Sequence, residues 1–162
     1  MYYYVPETIH QKGTEHGMDR KKLKILFLCT GNSCRSQMAE GWARELKGDI
    51  VEPFSAGTEA KELDSRAVRV MDEMSVDISD HRSKYLDDLE DMEFDHVVTV
   101  CSEAHEICPA FPGNTKVTYA GFDDPPRLAQ EARSEEEALE IYRRVRDEIR
   151  EFVEKIPGNL ES

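Results

Sequence analysis

Five residues separate Cys29 from Arg35 in the string Cys29-Thr30-Gly31-Asn32-Ser33-Cys34-Arg35-Ser36. Residue types and spacing together ask for one kind of chemistry. Successive amides of a tight strand-to-helix turn converge into a nest for an anion. The partial positive charge at the start of the following helix adds to it. The Arg35 guanidinium can hold two oxygens of a tetrahedral anion at once. The same field favours the thiolate of Cys29, which is the nucleophilic form. Gly31 is expected to supply a backbone conformation that other residues resist, and Ser33 and Ser36 further hydrogen bonds. The plainer reading makes Cys29 a buried strand-end cysteine, since cysteine is among the most buried residue types. The joint occurrence of Cys, Gly and Arg at a strand-to-helix junction favours the nucleophile. Asp123-Asp124-Pro125 offers carboxylates, but on residue types alone it reads as a solvated turn.

These residues need a scaffold, and the hydrophobic pattern supplies one. Leu23–Leu28 is nearly continuous in apolar residues, as in a central parallel strand buried on both faces. It delivers the chain into the Cys29–Ser36 loop. A helix follows, with Met38, Ala39, Trp42, Ala43 and Leu46 on one stripe. Ile50–Ala56 reads as a second strand, and its Pro53 favours an edge position. Ser65 starts a helix whose buried stripe is Ala67, Val68, Met71 and Met74, and a short helix fits Tyr85–Leu89. Phe94–Cys101 and Lys116–Ala120 are the third and fourth strands. Ser134 and Glu137 form a capping box for a last helix carrying Ala138, Ile141, Tyr142, Val145, Ile149, Phe152, Val153 and Ile156, stopped by Pro157-Gly158. Strands alternating with helices predict a single doubly wound α/β domain with a four-stranded parallel sheet. Residues 1–22 show no periodicity and are expected as a flexible tail, 23–158 as the catalytic domain and 159–162 as a C-terminal tail. Ligands of such folds sit at the carboxyl ends of strands. There the Cys29–Ser36 loop, Cys101 and Asp123-Asp124 collect.

Composition narrows the partners. In 162 residues, 21 Lys and Arg face 34 Asp and Glu, a net charge of -13. Such a chain gains nothing from the counterion release that drives general nucleic-acid binding, and anionic membrane surfaces repel it. No apolar run is long enough to span a membrane, and no apolar leader segment is seen. Four cysteines are too few for a disulfide scaffold and fit a reducing, cytoplasmic setting.

The Cys29–Ser36 loop resembles the phosphate-binding loop of the low-molecular-weight tyrosine phosphatase superfamily. Extended through Gln37-Met38-Ala39-Glu40-Gly41-Trp42, it is similar to the thioredoxin-coupled arsenate reductases within that superfamily. So are Ser55-Ala56-Gly57, Val98-Thr99-Val100-Cys101-Ser102, Cys108-Pro109 and Gly121-Phe122-Asp123-Asp124-Pro125, spread from about Lys24 to about Ile156. The resemblance implies that Thr30, Gly31, Asn32, Ser33, Cys34 and Arg35 bind arsenate, with Ser36 beside the nucleophile. Cys29 would attack arsenic and Asp124 would protonate the leaving oxygen, with Asp123 in support. Cys101 would attack Cys29 and expel arsenite. Cys108 would attack Cys101, leaving a disulfide for thioredoxin to reduce. No bound cofactor, no metal and a monomeric chain are expected, with thioredoxin as electron donor. Two-electron reduction of arsenate consumes two thiols, and a third can regenerate the nucleophile. Cys34 is not needed and reads as packing, and His105 as a solvated loop residue rather than one tuning the thiols beside it. Were Ser102–Ile107 helical, Cys101 and Cys108 would stand about 10 Å apart along the axis, beyond the roughly 7 Å Cα separation a disulfide allows, so the segment must unwind on oxidation.

One departure concerns potassium, which some members of the superfamily hold beside the loop. Asn32, Glu40 and Ser55 match that site, but Arg82 and Lys84 stand where Thr and Asp are expected. A Lys84 ammonium near Glu40 would replace the ion. Two rival functions remain. A phosphatase acting on phosphotyrosine or small phosphomonoesters would use Cys29, Arg35 and Asp124 alone. It would leave Cys101 and Cys108 without a task, and no aromatic cluster follows Asp124-Pro125 to grip a phenyl ring. A structural zinc site or metalloid sensor would want a Cys-x-x-Cys pair, which the spacings Cys29/Cys34 and Cys101/Cys108 do not provide.

Overall fold

The computed structural model describes residues 21–161. The expected N-terminal tail lies outside the described residues but for Lys21 and Lys22. Strands β1 (Leu23–Cys29), β2 (Val51–Gly57), β3 (His96–Thr99) and β4 (Lys116–Tyr119) form one sheet in the order β2-β1-β3-β4, every pair parallel. The helices are α1 (Arg35–Lys47), α2 (Ser65–Asp72), α3 (Ser102–Glu106), α4 (Pro125–Ala129) and α5 (Glu135–Glu154), with a 3-10 turn at Leu86–Leu89. The fold is therefore the α/β class read from the sequence. Ile25, Leu26, Phe27 and Leu28 have no exposed surface. That explains the unbroken apolar run, and each side chain contributes about 1.5–3 kcal/mol of burial.

The strand order determines where a ligand can enter. From β1 the chain crosses to β2 on one side, and from β3 it continues to β4 on the other. The connections thus diverge at the β1/β3 boundary, leaving a crevice beyond the strand ends. Cys29 closes β1, and Cys101 follows β3 by two residues.

Several local expectations change. β3 is shorter than Phe94–Cys101 at both ends: before it, the Asp95 carboxylate takes the Lys24 N–H at 2.8 Å while Asp95 N donates to Lys24 O at 2.9 Å, and after it Cys101 already caps α3. α1 is buried on all sides from Ser36 to Ala43 rather than along one stripe, since it is packed between the sheet and α5, while Leu46 is only partly covered. α2 is capped by Asp64, whose carboxylate accepts from Arg66 N at 2.8 Å and Ala67 N at 3.4 Å. Its core residues are Ala67, Val70 and Met71, with Val68 and Met74 at the margin. At α5, Ser134 Oγ accepts from Glu137 N at 3.0 Å, but the Glu137 carboxylate reaches past it to Arg133 N, so half of the capping box forms. α5 ends at Glu154, before Pro157. α4 was not expected: Pro125 and Pro126 occupy its first turn, where a missing N–H costs nothing. The chain after Gly158 lies against the sheet, with Glu161 N donating to Thr118 Oγ1 at 2.9 Å and Glu161 O 2.7 Å from His96 Nε2.

Candidate active site

The loop between β1 and α1 wraps around Cys29. Asn32 N donates to Cys29 Sγ at 3.1 Å, and Ser36 Oγ lies 2.9 Å from the same sulfur. Ser36 Oγ already accepts from Asn32 Nδ2 at 2.8 Å, so its own hydrogen is available to the sulfur. Two donors thus point at the position where a thiolate would carry its charge. The left-handed residue is Asn32 (φ 50), not Gly31. Asparagine tolerates this region because its side chain bonds locally. Here Asn32 Oδ1 accepts from Lys84 N at 2.8 Å and from Gln37 Nε2 at 3.1 Å, and Asn32 O accepts from Gln37 Nε2 and Ser83 Oγ. Asn32 is fully buried, so this network fixes the loop from behind. The glycine that the site does require is Gly57 at the end of β2. A Cβ there would stand 2.6 Å from Thr30 O and 2.8 Å from Asn32 N.

A cavity of ≈ 250 Å³ opens over the loop. Cys29, Thr30, Gly31, Ser33, Cys34 and Arg35 line one side of it, and Asp124 and Pro126 the other. No side chain caps α1 and no acidic residue lies in its first turn, so its amides remain available to an anion. Arg35 donates one Nη to Phe122 O at 2.9 Å and approaches Asp124 Oδ1 at 3.6 Å with the other. The arginine and the candidate acid are thereby held together across the cavity. Asn32 and Ser36 stand behind the loop as its supports. Lys61 and Glu103 also line the cavity, and no motif had marked either. The Lys61 stem lies over Gly31, and its N–H donates to Gly31 O at 2.8 Å. A larger cavity of ≈ 520 Å³ near Lys22, Lys24 and Asp95 holds none of the candidate residues.

The four cysteines have four different surroundings, and all are reduced. Cys29 forms the floor of the cavity. Cys34 is buried, and loss of solvent, followed by the Asp64 carboxylate, pushes its thiol well above the usual range. Its burial suits packing, and it also lines the cavity. Cys101 is buried behind the loop, its Sγ 3.5 Å from Thr30 Oγ1 and accepting from Ala104 N at 3.4 Å. Cys108 lies outside the cavity and is partly exposed, and partial burial raises its thiol. The structure thus brings Cys101 to the rear of the nucleophile loop and leaves Cys108 at the far end of α3. His105 is exposed but not merely solvated: its Nδ1 lies 2.8 Å from Thr99 Oγ1, and its ring packs on Tyr119.

At the residues matching a potassium site, Glu40 is engaged by Arg44 rather than by the expected Lys84. Ser55 Oγ and Arg44 both donate to the Glu40 carboxylate, the latter at 2.6 Å. Lys84 Nζ donates to Arg82 O at 2.8 Å. Burial lowers the Lys84 ammonium below its usual range, and Glu40 opposes that shift. Among the described residues, no group of three or more His, Cys, Asp or Glu side chains gathers to hold a metal. No described helix is long and apolar enough to cross a membrane.

A thiol at the floor of an anion nest, at the switch point of a parallel sheet and faced by an arginine and a carboxylate, defines an enzyme acting on tetrahedral oxyanions. More narrowly, the family model for low molecular weight phosphotyrosine protein phosphatases matches residues 24–161, and the chain belongs to that family. An arsenate reductase of Halalkalibacterium halodurans is 47% identical over 128 residues, covering 79% of this chain and 90% of that one. An arsenate reductase of Bacillus subtilis is 47% identical over 134 residues, covering 80% and 94%. Among solved structures, an arsenate reductase in the phosphate binding state matches with a TM-score of 0.68 at 27% identity, covering 86% of this chain and 99% of that one. A low molecular weight protein tyrosine phosphatase from T. tengcongensis matches with a TM-score of 0.66 at 29% identity, covering 86% and 100%.

Proposed function

We propose that this chain reduces arsenate to arsenite through Cys29, Cys101 and Cys108 in series, and that a thioredoxin-type dithiol protein returns it to the reduced form. Arsenate enters the cavity with its oxygens on the loop amides and Arg35. The Cys29 thiolate attacks arsenic, and Asp124 gives a proton to the oxygen that leaves as water. Cys101 then attacks Cys29 Sγ. A sulfur–sulfur bond forms, the sulfur–arsenic bond breaks, and its electron pair stays on arsenic, which leaves as arsenite. Cys108 attacks Cys101 and expels Cys29 as a thiolate. The net change consumes two thiols, oxidised to the Cys101–Cys108 disulfide, for one two-electron reduction.

The observation that carries this reading is the placement of Cys101. It sits two residues past the end of β3, the strand beside β1, in contact with Thr30 of the nucleophile loop, and a second thiol, Cys108, follows two residues past the short helix that Cys101 starts. A phosphatase would use Cys29, Arg35 and Asp124 and have no task for either thiol. The identities to arsenate reductases of two species support the same choice. Family membership favours some phosphatase activity as a side reaction, because phosphate and arsenate share shape and charge. The test is arsenate-dependent NADPH oxidation with thioredoxin and its reductase, beside phosphomonoester hydrolysis on the same sample. Arsenate-dependent oxidation that far exceeds hydrolysis is expected. Hydrolysis alone would replace the proposal with the phosphatase.

A further inference from the structure

α3 is five residues long, far below the length at which a helix coils by itself in water. Something outside it must hold it. Within the helix, Ala104 is buried and Cys101 Sγ takes the Ala104 N–H. A further anchor is His105. Its Nδ1 lies 2.8 Å from Thr99 Oγ1 at the end of β3, and Thr99 is fully buried, with its hydroxyl also 3.4 Å from Thr118 O. Its ring also packs on Tyr119 at the end of β4, with centroids 4.8 Å apart and planes tilted by 33°. Tyr119 is half exposed, and its hydroxyl lies over Gly121, where a Cβ would stand 2.3 Å from it. An exposed histidine is thus gripped by two adjacent strand ends. Its backbone carbonyl also accepts from Cys108 N at 3.4 Å, so His105 bears directly on where Cys108 stands.

We propose that His105 is the positioning residue of the Cys101/Cys108 pair: its clasp on Thr99 and Tyr119 keeps α3 coiled in the dithiol form and holds Cys108 off Cys101. The proposal rests on the relay reading for its purpose. Cys101 and Cys108 are seven residues apart, and a coil carried through α3 and the backbone bonds of Ile107 and Cys108 sets their Cα atoms about 10 Å apart along its axis, whereas a disulfide needs Cα atoms within about 7 Å. Closure therefore requires the clasp to open. In the closing step the Cys108 thiolate attacks Cys101 Sγ and Cys29 leaves as a thiolate, with no net gain of electrons. The reverse passage to the dithiol takes two electrons and two protons from a dithiol protein, which becomes a disulfide. A clasp present only in the dithiol form makes the disulfide the stronger oxidant, as for any couple whose reduced form is selectively stabilised. It therefore eases delivery of the disulfide to the reductant.

The experiment uses the full chain with His105→Ala and His105→Asn, whose amide can reach Thr99 but cannot stack. Redox titration in dithiothreitol buffers, read by mass, should show His105→Ala shifted about tenfold toward the disulfide. That is about 30 mV more negative for a two-electron couple. In the fully reduced chain, amides 104–108 should exchange about tenfold faster, while the melting temperature holds. His105→Asn should fall between the two. A His105→Ala chain with the midpoint and exchange of the unaltered one would overturn the proposal. The relay reading fails separately: if arsenate never oxidises the pair in the unaltered chain, the relay is wrong, while exchange in the reduced chain still decides the clasp.

Discussion

The loop Cys29–Ser36 and the segment Cys101–Pro109 both start at strand ends, one after β1 and one after β3, and they are built in opposite ways. The first is anchored from behind by a buried network in which Asn32 alone takes part in bonds to Cys29, Ser36, Gln37, Ser83 and Lys84. The second is one short helix with Ile107 60% exposed and the Cys108 thiol 3.7 Å from Pro109 O. The contrast matches the two tasks. Stabilising an oxyanion demands donors that do not reorganise during reaction. Passing oxidation from a buried thiol to a surface demands a segment that can leave its place cheaply.

The comparison can be broken first at the rigid side. Replacing Cys29 by Ser should abolish arsenite formation outright while leaving the fold unchanged, checked by product analysis and circular dichroism. Residual turnover near the original rate would remove Cys29 from the chemistry. Asp124→Asn keeps the shape and removes the transferable proton, so kcat should fall by about 10²-fold or more. An unchanged kcat would mean that Asp124 only steadies Arg35.

The mobile side can be sharpened by pH. Burial raises the Cys108 thiol, so the protonated form is favoured through the neutral range. Below its titration point the thiolate fraction grows close to tenfold per pH unit, and only the thiolate attacks. The resolving step, followed in single turnover, should accelerate by about that factor from pH 6 to 7 and again from 7 to 8. A flat profile would show that release of the segment, not thiol ionisation, limits the step.

How much of this division was visible in the sequence depends on what each residue's neighbours are. The Cys29 loop was legible because its parts are contiguous, and β1 because a parallel strand buried on both faces must be continuously apolar. Asn32 as the left-handed residue was missed in favour of Gly31. Its conformation is stabilised by Lys84, Ser83 and Gln37, and only Gln37 is near in sequence. Val70 was missed for Val68 because the cap falls on Asp64 and the helix faces α5. α4 was hidden by two prolines that read equally well as a turn. His105 reads as solvated in the sequence because neither Thr99 nor Tyr119 carries a local sign of contact. Lys61 and Glu103 reach the cavity through tertiary folding alone.

The smallest expected effect concerns the network behind the loop. With Arg44 on Glu40 and Lys84 on the Arg82 carbonyl, replacing potassium by sodium at fixed ionic strength should move the melting temperature by less than about 2 °C. That is under the shift of 1 kcal/mol at this chain length. A large potassium-specific rise would show that these side chains give way to the ion.

The relay itself is tested most directly by Cys108→Ser. This chain should produce one equivalent of arsenite per protein and then stop, and peptide mass mapping should find Cys29 joined to Cys101. A Cys108→Ser chain that cycles at the original rate, with no such linkage, would contradict the three-thiol account.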